Sequence, residues 1–105
     1  MTPGTWIPKS ITTSREVKTC CFPATPGKMY KIYWDDSYSG SRQYTCDIKV
    51  SAFRQDATTA YFTNVDSGYM TPRTITVLDN LVFIKVAGYY AYSTGTFALK
   101  VVQAN

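Results

Sequence analysis

Residues 94–102 alternate with a period of two. Phe97, Leu99 and Val101 fall on one face of an extended chain and Thr96, Ala98 and Lys100 on the other. Successive side chains of a strand point to opposite sides, so this pattern predicts a half-buried strand. The same period recurs over 28–34, with Tyr30, Ile32 and Trp34 inward and Met29, Lys31 and Tyr33 outward. Residues 44–53 read as the longest strand, with Cys46, Ile48, Val50 and Ala52 inward. Residues 74–78 and 81–87, joined by Asp79 and Asn80, read as a hairpin that turns Ile75, Val77, Val82, Ile84 and Val86 toward the core. Shorter strands are expected over 6–10, with Pro8 marking an edge, over 15–22 and over 59–64. Turn residues punctuate 2–4, 23–27 and 66–68. No stretch longer than two turns has a helical period. The expected fold is a single all-β domain over residues 1–105, an antiparallel two-sheet β-sandwich of jelly-roll type with seven or eight strands.

Composition narrows the function classes. Hydrophobic residues make up 45% and charged residues 17%, which excludes a disordered chain. No apolar run approaches the roughly 20 residues of a membrane helix, so no membrane partner is expected. The net charge of +4 is scattered. Lys31, Lys49, Lys85 and Lys100 take polar strand positions, where they solvate an outer face and call for no nucleic acid. Several of them on one face would instead favour an acidic polymer such as a uronic-acid polysaccharide. Residues 1–6 lack the basic start and apolar stretch of a secretory leader, so Met1 is expected to be a start added to an excised or mature domain.

The three cysteines follow no zinc spacing, and the chain has no histidine. Alternation sends Cys20 and Cys46 inward and Cys21 outward. The inward pair is expected to act as small apolar side chains. The alternative is a Cys20–Cys46 disulfide, which needs Cα atoms within about 7 Å.

Residues 15–22, 27–36, 47–50 and 95–101 carry a likeness of strand pattern. Over about residues 11–102 the chain resembles the bacterial pre-peptidase C-terminal domain family and related secreted β-sandwich modules. The resemblance implies a non-catalytic accessory module of a larger extracellular or cell-surface protein, with a role in targeting a substrate or surface. The run Thr19, Cys20, Cys21 departs from the bulkier aromatic or polar residues that relatives tend to carry there.

The residues themselves suggest where a ligand would sit. Tyr89, Tyr90 and Tyr92 lie between Gly88 and Gly95, where no strand register obliges all three to be buried. An aromatic face packs against the axial C–H bonds of a sugar while carboxylates bind its hydroxyls, so Tyr38 with Asp35 and Asp36 forms a second expected contact. Trp34 shares the inward register of Ile32 and is expected in the core, and Trp6 is expected to cap the open end of the sandwich. Asp35, Asp36, Ser39 and Asp47 offer oxygens for calcium, but without the spacing of a dedicated loop. The competing reading has these acids capping backbone amides, with no cofactor. Glu16 lies beside Arg15 and Lys18, where surface pairing suffices, and a hydroxyl or thiol nucleophile lacks the usual histidine base. The chain is therefore expected to be no enzyme but a secreted module that binds polysaccharide. The rival expectation is a structural spacer or adhesion domain.

Overall fold

The computed structural model describes residues 4–104. Every regular element in it is a strand: β1 (Ile7–Ile11), β2 (Val17–Pro23), β3 (Met29–Asp35), β4 (Ile48–Phe53), β5 (Ala60–Val65), β6 (Arg73–Thr76), β7 (Leu81–Gly88) and β8 (Gly95–Gln103). They form two four-stranded sheets, ordered β1-β8-β3-β6 and β2-β7-β4-β5. All pairings are antiparallel. The pairs β1·β8, β2·β7, β3·β6 and β4·β5 are the rungs of one long hairpin. The pairs β3·β8 and β4·β7 arise where that hairpin rolls over on itself, which is the jelly-roll order. Strand direction then gathers the connections 12–16, 36–47, 66–72 and 89–94 at one end of the sandwich and 24–28, 54–59 and 77–80 at the other.

The inward rows close the core. Ile32, Trp34, Ile48, Val50, Val82, Ile84, Val86, Phe97 and Leu99 are fully buried. At about 25 cal/mol per Å² of apolar surface, these rows hold the sheets together. Trp34 stacks on Phe62 with ring centroids 6.1 Å apart. On its other contacts Gly68 comes so close that a Cβ there would lie 2.5 Å from the indole, so only glycine fits. Cys46 is buried and Cys20 is half-buried against the core, while Cys21 is exposed, and no disulfide joins Cys20 to Cys46.

Pro8 lies on β1, an edge strand as expected. Three expectations are corrected. The segments around Asp79 and Asn80 do not form a hairpin: β6 pairs with β3 and β7 with β2 and β4. Val77 stays tied to the start of β3, its N–H donating to Lys28 O at 2.9 Å and its carbonyl accepting from Gly27 N–H at 2.8 Å. The chain therefore crosses to the other sheet. The strand expected over 44–53 begins only at Ile48, because Thr45 and Cys46 both donate their N–H to Thr96 O during their own crossing. β8, with nine residues, is the longest strand. Trp6 does not cap the sandwich end but lies on the outer face of the β8 sheet. Of the turn expected over residues 2–4, all but Gly4 lies outside the described residues, as does Met1.

Candidate functional site

The turn 89–94 joins β7 to β8 and is pinned by main-chain bonds. Tyr89 N–H donates to Asp47 O at 2.8 Å, which extends the β7–β4 ladder by one rung. Ser93 N–H donates to Tyr90 O at 3.0 Å and closes a tight turn, and Tyr90 N–H reaches Ser93 Oγ at 3.2 Å. Arg15 N–H donates to Ala91 O at 2.8 Å, so the 12–16 connection docks on the tip. Gly88 makes the turn feasible, because a Cβ there would lie 2.8 Å from Ser93 and 2.9 Å from Tyr90 O.

This backbone brings the three tyrosines together. Tyr90 and Tyr92 stack with centroids 5.4 Å apart and planes 5° from parallel, and Tyr89 meets Tyr90 edge-on at 4.9 Å and 81°. They remain 40%, 52% and 72% exposed for Tyr89, Tyr90 and Tyr92. Each ring contact contributes about 0.5–1.5 kcal/mol, which sets the rings in place before a partner arrives. Tyr92, stacked on one side, turns its other face to solvent.

Tyr38 is also exposed, at the same end of the sandwich, but the acids expected beside it do a different job. Asp36 Oδ1 accepts from Tyr38 N–H at 3.0 Å and Ser39 N–H at 2.8 Å, and its Oδ2 accepts from Ile48 N–H at 3.1 Å. Asp35 Oδ1 accepts from Ser41 N–H at 2.8 Å. Both are buried and shape the 36–47 connection, so the expected platform of Tyr38 flanked by free carboxylates does not form. The same bonds decide how the oxygens weighed for calcium fit the ion. Three of the four Asp35 and Asp36 oxygens already accept amide protons, and among the described residues no three acidic, cysteine or histidine side chains gather as a metal-binding group. An ion placed there would share three of those four oxygens with main-chain amides.

Burial pushes the Asp36 carboxyl up, against the pull of its amide bonds, and raises Asp47, which Asp66 pushes further the same way. The Cys46 thiol is pushed up to about 11, first by burial and then by the charges of Asp36 and Asp47, which keeps it protonated and unreactive at neutral pH.

One cluster is not evident from the sequence. Trp6 stacks on Tyr69 at 5.8 Å and meets Tyr33 edge-on at 6.4 Å, and Lys100 Nζ lies 4.7 Å from the Trp6 ring and 4.5 Å from the Tyr33 ring. The neighbourhood of Trp6 and Lys100 follows only from the β1–β8 register, Ile7 opposite Leu99, which alternation alone does not supply. These rings are half-buried and already in contact with one another and with an ammonium group, so they offer less open face than the tyrosine turn. The four strand lysines divide between the sheets: Lys31 and Lys100 lie on the outer face of the β8 sheet, Lys49 and Lys85 on the outer face of the β7 sheet.

No model of a known protein family matches this chain, and no curated protein matches it.

Proposed function

We propose that this chain is a non-catalytic module that binds carbohydrate at the tyrosine turn, on behalf of a larger extracellular or cell-surface protein. The observation that carries the reading is the set of three mutually packed, solvent-facing rings on a turn fixed by main-chain bonds. A sugar ring laid on the open face of Tyr92 would pack its axial C–H bonds on the phenol, with tyrosine hydroxyls at hand for its own. The ordering cost of such a contact is small, since the rings already hold one another. The absence of histidine, the high pKa of Cys46 and the engagement of Asp35 and Asp36 by amides favour binding over chemistry.

Affinity electrophoresis against a panel of soluble polysaccharides tests this. Native protein is expected to be retarded by at least one glycan. Tyr90→Ala should lose about tenfold or more in affinity while its stability falls by no more than about 1–3 kcal/mol, the worth of its two ring contacts. Trp34→Ala, by contrast, should lose about 3–5 kcal/mol of stability. Unchanged mobility on every glycan would move the assignment to a structural spacer.

A further inference from the structure

The outer face of the β7 sheet contains a depression of about 170 Å³, lined by Val17, Lys49, Ser51, Phe53, Lys85 and Ala87, with Asn64 at its rim. This volume equals about six waters at ~30 Å³ each, the bulk of one substituted sugar ring. The register explains the hollow. Ala87 lies opposite both Val17 and Lys49, and Ser51 opposite Lys85, so small residues occupy the middle of the sheet and longer ones surround them.

The charge of the lining is one-sided. Lys49 and Lys85 are diagonal neighbours across β4 and β7, a placement that puts their Cβ atoms within about 7–8 Å. No carboxylate lines the depression. Lys85 is steadied by the Phe53 ring, 4.7 Å from its Nζ, and by Ala57 O at 3.3 Å. The Lys49 ammonium group makes no ion pair or hydrogen bond among the described residues. Both lysines line the one hollow and no counter-charge does, so an anion seated in it meets two cations and no repelling carboxylate. The Ser51 hydroxyl accepts from Asn64 N–H at 2.9 Å and keeps its own proton to donate. Tyr89, two residues beyond Ala87 on the extended β7 ladder, lies about 7 Å further along, so the hollow and the tyrosine turn are neighbours.

We propose that this depression takes the carboxylate-bearing ring of an acidic polysaccharide, a uronate, with Lys49 and Lys85 on the carboxylate and Asn64 and Ser51 on ring hydroxyls. The proposal rests on the carbohydrate reading above and names its ligand class. A phosphate polymer fits less well. Two cations are few for following a nucleic-acid backbone.

The test is calorimetric titration and amide-resonance mapping with oligogalacturonate, an oligoglucuronate and oligomannuronate, each beside a neutral oligosaccharide of equal length. One acidic oligomer is expected to bind about tenfold or more tighter than its neutral counterpart, to lose that margin as salt rises, and to shift the resonances of Lys49, Ser51, Lys85 and Ala87. Lys49→Gln and Lys85→Gln should each weaken it about fivefold or more and leave neutral binding unchanged. Lys49→Arg, which keeps the charge, should retain most of the affinity, and thermal melting of each variant guards against misfolding. Equal binding of neutral and acidic oligomers, with both glutamine variants unchanged and Tyr90→Ala weakened, would overturn the charged site and leave the carbohydrate reading standing. Binding by no oligomer would end both. Inorganic phosphate or single-stranded DNA that shifts the same resonances with equal affinity would overturn the ligand class.

Discussion

Asp36 gathers three main-chain amides on one buried carboxylate, and one of them, Ile48 N–H, opens β4. Removing the acceptor leaves that donor buried and frees the 36–47 connection on which Tyr38 stands. Asp36→Ala is therefore expected to lower stability by about 2–4 kcal/mol, and Asp36→Asn, which keeps one acceptor oxygen, by less. Urea unfolding would read both, and a loss under about 0.5 kcal/mol in the alanine variant would show that water replaces the carboxylate. The sequence left two readings for Asp35 and Asp36: ligand contact, or capping of the turn that follows β3. Adjacent acids at a strand end suit both equally, and only the positions of the amides at 38, 39, 41 and 48 choose between them.

At the scale of elements, alternation settled which face of each strand is inward but not which strands are neighbours. Ile75, Val77, Val82, Ile84 and Val86 are buried as their period requires, yet β6 and β7 belong to different sheets. A hairpin and a crossover bury the same rows, so the pattern cannot separate them. The pairing was decided by the bonds of Val77 to residues 27 and 28 and by Asp79, which the Arg54 guanidinium holds at 2.9 and 3.0 Å. The tyrosine turn was legible for a related reason. Three aromatics between two glycines had no strand face to fill, although their mutual stacking depends on turn geometry that no local pattern encodes.

The β4–β5 pair carries an irregularity with its own signature. Phe62 and Val65 both pack against the core although three residues apart, which a regular strand does not allow. An extra residue absorbs the difference: Asn64 takes φ 53°, and Ser51 Oγ collects its displaced N–H. Asn64→Gly should be neutral within about 0.5 kcal/mol, whereas Asn64→Val should cost about 1–3 kcal/mol, because a branched side chain resists positive φ. Denaturant midpoints of the two variants would check the order, and equal values would remove the bulge as the cause.

Acid stability is a property of the whole molecule. Glu16 is held at about 2 by the Thr12 amide first and then by Lys18, and Asp56 at about 2 by the Thr59 hydroxyl and then the Thr59 and Thr58 amides. Both lie below their ordinary values of 4.5 and 3.8, so the unfolded chain takes up protons first as pH falls. Their contribution is complete above about pH 4.5 and is lost on the way down to about 2. Asp36 and Asp47 act in the opposite sense: their raised pKa values favour the fold while protonated, and that contribution is lost as pH rises through those values. The melting temperature is expected to fall between pH 4.5 and 2, and Asp56→Asn should melt lower at pH 7 and show a shallower fall in acid. Calorimetric scans at several pH values would measure both slopes, and parallel curves would exclude Asp56.

The pairing of β1 with β8 also decides how the molecule can be tethered. Gly4 N–H donates to Val101 O and Ala104 N–H to Met29 O, each at 2.7 Å, so both extremities of the described chain emerge together. β8 separates them from Tyr92 by about 30 Å, nine residues of extended backbone. A linker or an immobilising tag added on either side would thus act as a stalk at one pole, with the phenol rings borne outward at the opposite pole.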